Sequence, residues 1–507
     1  MGQVVSKSNS ISDSTPSTDI KGRAIRGSAA TMGGQLAQFV VQAGTTAIMA
    51  RILAPHDYGT VTMVVAFLGL ATLFKDLGLS AATVQRERIT HEEVSGLFWV
   101  NAFTGVALMV IMMACAPLVG WFYGRSDLYW LTLAYAALTP VSSLGAQHQA
   151  LLQRSMRYAS LALRAVVAVT AGSAAGIWAA VSGLGYWSLF AAQATTAVVG
   201  TLALWWQSGW RPGRPRHPRE LAPLLAFGGA LTLSNVLAYV ARGLDNLLLG
   251  HFVGAFGLGL YSRAQGLLLR PLEQVIPPVM NVATSTFARL APEPERFVGA
   301  AFRFLGVLAF ASGLVAALVA GTAHWIVDLL LGPQWVGSVP IVRALALFAF
   351  VEPCAGFLGI LLVVRGQPMK LAHWRAISTL IILGGLVIGL RWGPLGVAAA
   401  MSGTGLLVRT PLFILYSSPL LGLSAARIFR TVGCHVLSGS AVAVGLIALD
   451  HIWPLHAPLL GLLSHAALGT GLYVGLALLW PDGRAVVRDL YSSARTLGSR
   501  GRLLTEP

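Results

Sequence analysis

The chain has 507 residues, of which 55% are hydrophobic and only 11% are charged, and its mean hydropathy is +0.70. A soluble globular protein carries about 25% charged residues, so this composition excludes an ordinary water-soluble domain and predicts a membrane protein. The 35 basic residues outnumber the 19 acidic ones, but most of them lie between apolar runs, which argues against a nucleic-acid-binding surface.

Residues 1–20 are polar and rich in Ser and Thr, which predicts a disordered N-terminal tail. Beyond it, apolar runs recur that are long enough to cross a bilayer as helices, the form that satisfies every backbone group in hydrocarbon. We predict about fourteen spans of roughly 20 residues each. They lie at 27–50, 59–79, 94–119, 127–149, 158–181, 184–206, 222–250, 259–280, 299–321, 339–364, 371–390, 394–417, 427–449 and 458–480.

These spans form two groups of six and a final pair. The stretch 207–221 combines proline with basic residues, which excludes a span and indicates a cytoplasmic linker. The predicted parts are therefore an N-terminal lobe, 21–206, a C-terminal lobe, 222–420, two additional transmembrane helices within 421–480 and a basic cytoplasmic tail, 481–507. The predicted fold class is an all-α polytopic membrane protein with two pseudo-symmetric six-helix lobes and two C-terminal helices.

Positive charge predicts the orientation of the spans. If the chain starts in the cytoplasm, the cytoplasmic connections carry most of the Lys and Arg, among them Arg86, Arg88, Arg154, Arg157, Arg365, Lys370, Arg427 and Arg430. The opposite side holds only Arg51, Arg125, Arg242 and Arg391. Because short cytoplasmic loops are enriched in basic residues, both termini are predicted to be cytoplasmic.

Two similar segments indicate an internal repeat. Ala50–Gly59 lies 200 residues before Gly250–Gly259, each follows the first helix of its lobe, and each ends in glycine. Two parallel six-helix repeats with a substrate site between them are a transporter architecture. Chance similarity between two Gly-rich membrane loops is the alternative.

The sequence lacks the patterns of the common enzyme classes. None of the four lysines follows a glycine, so no Walker A phosphate-binding loop is present, and neither HExxH nor Gly-x-Ser-x-Gly occurs. The three cysteines lie in separate apolar runs, and no metal or other cofactor is predicted from them. The outer connections are too short to form a catalytic domain. A transporter is therefore favoured over an enzyme.

Charges inside the spans are the candidate functional residues, because intramembrane charges usually face a cavity or a partner. Arg263 and Arg270 are two helical turns apart on one face of the eighth span, and Glu273 can pair with Arg270. Pro271, Pro277 and Pro278 are expected to interrupt this helix. The functional interpretation is a cationic lining that binds phosphate oxygens, and a buried packing pair is the alternative.

The other intramembrane charges have two interpretations each. Arg164, Arg303 and Arg343 are expected within a turn or two of the cytoplasmic helix ends, where they either line the cavity or extend to the membrane surface. Coupling to Na⁺ or H⁺ would need an intramembrane carboxylate, and the candidates are Asp245 and Glu352. The remaining charged positions of interest are Arg242, which can pair with Asp245, and Asp76, next to Lys75.

Several stretches resemble the polysaccharide and O-antigen flippases of the multidrug, oligosaccharidyl-lipid and polysaccharide exporter superfamily, in the branch that exports colanic-acid-type polymers. They are Ala50–Gly59, Lys75–Arg86, Leu97–Asn101, Gly185–Leu189, Asp245–Gly250, Gly257–Ala264 and Leu331–Trp335. Each motif alone is weak, and their order and spacing over about 24–420 are more specific.

The resemblance implies a flippase of the bacterial inner membrane for undecaprenyl-diphosphate-linked oligosaccharides, used in exopolysaccharide or lipopolysaccharide synthesis. It implies alternating access of two lobes, membrane lipids and a lipid-linked oligosaccharide as partners, and contact with polysaccharide polymerase or export machinery. Cavity arginines of related flippases hold the diphosphate, which implies this role for Arg270 and Arg263. The alternatives are a cation-coupled multidrug exporter of the same superfamily, a membrane glycan polymerase or ligase, and a structural scaffold.

Overall fold

In the computed structural model of the chain, the described residues are 20–72, 79–86, 89–214, 222–453, 457–489 and 492. Helices account for nearly all of them. The chain divides into two compact units, a first unit of residues 1–259 and a second unit of residues 260–507. This division falls within a helix, at a different point from the predicted linker, and the predicted lobe boundaries stay a prediction.

The described residues of the first unit form eight helices and the start of a ninth. Their bounds are α1 Ile20–Ile52, α2 Pro55–Thr72, α3 Leu79–Gln85, α4 His91–Ala114, α5 Ala116–Tyr123, α6 Asp127–Arg154, α7 Tyr158–Val181, α8 Trp187–Ser208 and α9 Ala222–Leu290. Gly254, with φ 83° and ψ 179°, breaks α9 into two consecutive helices. Only glycine adopts this backbone conformation readily, so the sequence itself places the break.

The second unit begins within α9, and its described residues include eight further helices and a short helical stretch at 481–489. The bounds of the eight helices are α10 Pro294–Gly321, α11 Ala323–Leu330, α12 Val339–Val364, α13 Pro368–Gly389, α14 Gly393–Thr404, α15 Thr410–Leu421, α16 Ala425–Ile452 and α17 Pro458–Leu479. A 3₁₀-helix, Pro333–Ser338, precedes α12, and a π-helix, Gly405–Arg409, joins α14 to α15.

Within the described residues, nine helical stretches are long and apolar enough to cross a membrane. One of them, Pro368–Leu421, holds two predicted spans, and the other predicted spans coincide with α1, α2, α6 and the first part of α9. Polar side chains such as those of Gln35, Gln38 and Gln42 make α1 less apolar than these nine helical stretches. The predicted class, a polytopic all-α membrane protein, is confirmed.

The expectation that prolines interrupt the eighth span is wrong. Helical backbone runs through Pro271, Pro277 and Pro278 to Leu290, and the non-helical residue inside α9 is Gly254. Proline keeps a helical φ angle and removes a single backbone donor, so a membrane helix can continue through it with a bend.

Two helix starts cross in the first unit at the segments that the sequence aligned as a repeat. A Cβ atom on Gly59 of α2 would lie 1.7 Å from the carbonyl oxygen of Ala255, and one on Gly259 would lie 1.8 Å from the carbonyl oxygen of Pro55. Gly59 and Gly259 are 200 residues apart in the sequence, and so are their partners Pro55 and Ala255, so the two contacts are equivalent. A local two-fold axis relating the two segments produces such a pair of equivalent contacts. Glycine is therefore required at both positions.

The second unit is built on an antiparallel pair, α10 and α12. Gly313 of α10 lies beside Phe350 of α12. A Cβ atom added to Gly313 would lie 3.1 Å from Cε2 of the Phe350 ring. At one end of the pair, the Arg365 guanidinium lies 4.1 Å from the centre of the Phe297 ring. A buried aromatic cluster that includes Phe287 and Phe357 packs beside this end. These contacts fix the position of α12 along the axis of α10.

Candidate functional site

Three polar side chains meet at half the length of three helices of the second unit. Nη2 of Arg409 donates to Oε2 of Glu352 over 3.5 Å, and Nε of Arg409 donates to Oγ of Ser378 over 2.9 Å. Glu352 lies at the middle of α12, Ser378 at the middle of α13, and Arg409 at the middle of the continuous stretch formed by α14 and α15. Mid-helix positions correspond to the centre of a bilayer, where charges are costly unless they are paired or hydrated.

Both charged residues occur where the helical hydrogen-bond pattern is interrupted. Arg409 is the last residue of the π-helix Gly405–Arg409, and π-helical turns inside α-helices are frequent at functional sites. Glu352 is followed by Pro353, which has no N–H to donate to the carbonyl one turn earlier. These interruptions let backbone polar groups, as well as the two side chains, contact a polar ligand.

The two charges differ in accessibility. The Arg409 side chain is 15% exposed, whereas that of Glu352 is 50% exposed. The guanidinium is therefore enclosed by protein and held by two acceptors, while the carboxylate faces outward. Glu352, predicted as a carboxylate for a coupling cation, is neutralised in this structure by an arginine of its own chain. Among the described residues, no three His, Cys, Asp or Glu side chains are close enough to form a metal site.

The main predicted phosphate site lies partly outside the described atoms. Arg270 and Glu273 are helical residues of α9, but their side chains are outside the described residues, and so is the side chain of Arg242. Asp76 is outside them altogether. The predicted pairs of Arg270 with Glu273 and of Arg242 with Asp245 therefore stay predictions.

Two predicted residues of α9 can be placed. Arg263 is half-buried, and it lies between Tyr261 and Ala264, both fully buried. Asp245 is 5% exposed, and its Oδ1 accepts a hydrogen bond of 2.8 Å from the backbone N–H of Asn246. A buried carboxylate in an apolar helix keeps Asp245 as a candidate for cation coupling.

The structure does not bring Arg303 and Arg343 together. Gly313 of α10 contacts Phe350 of α12 near the middle of this antiparallel pair. Arg303 lies on the side of that contact where Phe297 meets Arg365, and Arg343 lies on the other side. A rise of 1.5 Å per residue puts them about 25 Å apart along the helix axes. The expectation that both lie near cytoplasmic helix ends is therefore wrong, because the two helices run in opposite directions. Arg303 is exposed, and Arg343 is half-buried.

Arg164 is held within the first unit. Its Nη2 donates to Oε1 of Gln149 over 3.2 Å, from the second turn of α7 to the end of α6. The side chain is half-buried, so packing between α6 and α7 accounts for much of its environment. A role in a phosphate site stays a prediction.

Arg409 and Ser378 were not among the residues predicted from the sequence. Arg409 lies inside the predicted span 394–417, so its charge within an apolar run was the signal that could have identified it. Its pairing with Glu352, 57 residues away, has no signature in the sequence. Ser378 is an ordinary hydroxyl in a helix, and only its contact with the guanidinium distinguishes it.

The fold and the intramembrane ion pair define a polytopic helical membrane protein. A family profile described as polysaccharide biosynthesis protein matches residues 48–340. This match covers more than half of the chain, and the chain belongs to this family.

Curated relatives agree with this assignment. The chain is 25% identical to the lipopolysaccharide biosynthesis protein WzxC of Escherichia coli (strain K12), over 68% of this chain and 70% of WzxC. It is 24% identical to the succinoglycan biosynthesis transport protein ExoT of Rhizobium meliloti (strain 1021), over 89% and 91% of the two chains.

Two solved structures share the fold at low sequence identity. The lipid II flippase MurJ, in an inward closed conformation, superposes with a TM-score of 0.68 at 12% identity and covers 92% of this chain and 100% of its own. A multidrug resistance MATE family transporter in an inward-facing conformation gives a TM-score of 0.57 at 16% identity, covering 76% of this chain and 94% of its own. At these identities the likeness shows the fold.

Proposed function

We propose that this protein is a flippase that moves undecaprenyl-diphosphate-linked oligosaccharide repeat units across the bacterial cytoplasmic membrane. The observation that carries the proposal is the fold, which matches that of a lipid II flippase over 92% of the chain. A relative that matches over 89% of the chain is a transport protein of succinoglycan biosynthesis, and another is a protein of lipopolysaccharide biosynthesis. The product would serve exopolysaccharide or lipopolysaccharide synthesis.

The physical chemistry of the substrate explains why intramembrane arginines are needed. A diphosphate cannot enter hydrocarbon unpaired, because burying an isolated charge costs tens of kcal/mol by Born estimates. Guanidinium groups offer planar pairs of N–H donors that match phosphate oxygens. Arg270 and Arg263 of α9 are the proposed ligands of the diphosphate, seven residues apart on one helix face. The polyprenyl chain would stay in lipid during transport.

The proposal includes an orientation and a mode of transport. Basic connections such as those containing Arg154 and Arg365 support cytoplasmic N- and C-termini. The substrate would then enter from the inner leaflet and leave to the outer leaflet through alternating exposure of one binding site to the two sides. Catalytic residues have no part in this mechanism, and the protein would act beside a polysaccharide polymerase.

Ion coupling is a separate part of the proposal. If Na⁺ or H⁺ drives transport, Asp245 and Glu352 are the candidate carboxylates, and Asp245 is the preferred one because it is buried whereas Glu352 is exposed. A carboxylate buried in the membrane can bind a cation in one conformation and release it in another, in which water reaches the site. Asp245→Asn would then remove dependence on the ion gradient, while a transporter without coupling would be unaffected.

Loss of the Arg270 side chain should abolish export. In a strain lacking the chromosomal gene, Arg270→Ala is expected to leave membrane abundance unchanged and to accumulate lipid-linked oligosaccharide on the cytoplasmic side. The physical reason is the loss of a charge-assisted phosphate contact inside the membrane, which contributes about 1.5–3 kcal/mol. The measurement is extraction and quantification of the lipid-linked intermediate, together with the exported polymer.

A matched control is Arg289→Ala, which changes an exposed arginine at the last turn of the same helix. It should export normally. Normal export by Arg270→Ala would exclude the assigned phosphate ligand. A deletion strain that accumulates no lipid-linked oligosaccharide, and becomes sensitive to amphipathic cations, would instead support the multidrug exporter, whose fold is also similar.

A further inference from the structure

A basic cavity opens at one end of α6 and α8 in the first unit. Its volume is about 430 Å³, and its lining includes Leu151, Leu152, Arg154, Arg157, Ser208 and Trp210. Two lining residues are arginines, and the lining contains no acidic side chain among the described residues. The cavity lining therefore combines cationic and apolar side chains.

The turn between α6 and α7 gives the cavity its two arginines. Met156 has φ +53°, a left-handed conformation that is uncommon for a residue other than glycine. The N–H of Arg157 donates to the carbonyl oxygen of Leu152 over 2.9 Å, which closes the turn. The reversal at Met156 lets residues on both sides of it, Arg154 and Arg157, line one cavity. Such backbone conformations concentrate at functional sites.

Backbone carbonyl groups hold both guanidinium groups in place. Arg154 Nη1 donates to the carbonyl oxygens of Thr83 and Arg86, and Arg157 Nη1 donates to the carbonyl oxygen of Gln207 over 2.9 Å. A guanidinium has five N–H groups, so a single carbonyl contact at Arg157 leaves donor capacity for an anion. The nearby carboxylate of Glu93 is paired with Arg86 at 2.8 Å, so it does not neutralise the cavity.

Trp210, another lining residue, is fixed by aromatic contacts. Nε1 of Trp210 donates to Nδ1 of His91 over 3.0 Å, and the Trp210 ring packs on Phe98 with ring centres 5.9 Å apart. The next residues are held as well, since Trp99 donates to the carbonyl oxygen of Gly213 over 2.8 Å. The start of the predicted linker is thus bound to α4, and the cavity is formed before any ligand arrives.

We propose that this cavity binds the phosphate of an anionic phospholipid, with phosphatidylglycerol as the representative ligand. Arg154 and Arg157 would bind the phosphodiester, while Leu151, Leu152 and Trp210 would contact the glycerol and the first acyl carbons. A basic pocket between membrane helices on the cytoplasmic side is a recurrent lipid headgroup site, and the predicted orientation puts this cavity there. The volume exceeds what a free phosphate ion would fill.

Binding to the purified full-length chain in detergent tests the site. We expect dioctanoyl phosphatidylglycerol to bind at least about tenfold more tightly than dioctanoyl phosphatidylcholine, since each basic residue near a membrane surface contributes about fivefold in affinity for anionic lipid. Arg157→Gln should weaken binding about fivefold. Ser155 also lines the cavity, and Ser155→Leu should block it without removing a charge. Native mass spectrometry and ligand-dependent thermal stability are the two measurements.

Arg375→Gln is the matched control, because Arg375 is exposed and lies on α13, outside the cavity. It should bind phosphatidylglycerol like the unaltered protein. Unchanged binding in both Arg157→Gln and Ser155→Leu would overturn the proposal. Equal competition by inorganic phosphate would show a simple anion site, and tighter binding of undecaprenyl diphosphate at Arg157 would assign the cavity to the transported lipid; either result would overturn the phospholipid assignment.

Discussion

Gly59→Ala and Gly259→Ala are each expected to destabilise the first unit by about 3 kcal/mol or more, and to reduce the amount of folded protein in the membrane. An added Cβ would lie 1.7 Å from the carbonyl oxygen of Ala255 in the first variant and 1.8 Å from that of Pro55 in the second. Such overlaps involve backbone atoms, which cannot rotate away as a side chain can. The starts of α2 and of the second part of α9 must therefore separate.

The measurement is thermal unfolding of the detergent-solubilised protein, with size-exclusion chromatography used to quantify the protein that stays folded at each temperature. Gly44→Ala is the matched control, because Gly44 is a helical residue of α1 with no atom within 4 Å of an added Cβ. That variant should be neutral or stabilised by up to about 1 kcal/mol, since alanine favours helix more than glycine. Equal unfolding temperatures for all three variants would contradict the close crossing.

Glu352→Gln is expected to be the more damaging of the two single changes at the ion pair of the second unit. It leaves the Arg409 guanidinium, only 15% exposed, without its carboxylate at half the depth of the membrane. An uncompensated arginine at this depth costs about 3 kcal/mol on insertion scales. Arg409→Gln should cost less, because the Glu352 carboxylate that it leaves behind is 50% exposed and is less enclosed by protein than the guanidinium.

The double variant with both glutamines should recover part of the loss, since neither charge remains. The expected coupling energy is about 1–2 kcal/mol from a double-mutant cycle on unfolding free energies. The exposed pair Arg296–Glu293 on the same unit is the control, with side chains 75% and 51% exposed. Arg296→Gln should change stability by less than about 0.5 kcal/mol. A double variant whose loss of stability equals the sum of the two single losses would show that the two charges act independently.

The positions of the helices followed from the sequence because each apolar run is long enough to cross a bilayer. The spans predicted at 158–181 and 339–364 coincide with α7 and α12. Differences arose where helices are interrupted. The run 94–119 is divided into α4 and α5 next to Pro117, and 394–417 is divided by the π-helix Gly405–Arg409. Hydropathy measures the length of a run, and it does not respond to local changes in hydrogen bonding.

The sequence by itself determined the fold class and the family, because apolar helices satisfy their own backbone groups in a hydrocarbon environment. It also locates charges within the apolar runs, and the candidates named from it did not include Arg409. The tertiary structure alone decided which of those charges meet. Arg409 reaches Glu352 across 57 residues, whereas Arg303 and Arg343 are separated by the antiparallel direction of α10 and α12. Contacts between distant segments depend on how helices pack, and a pattern along one helix does not contain that information.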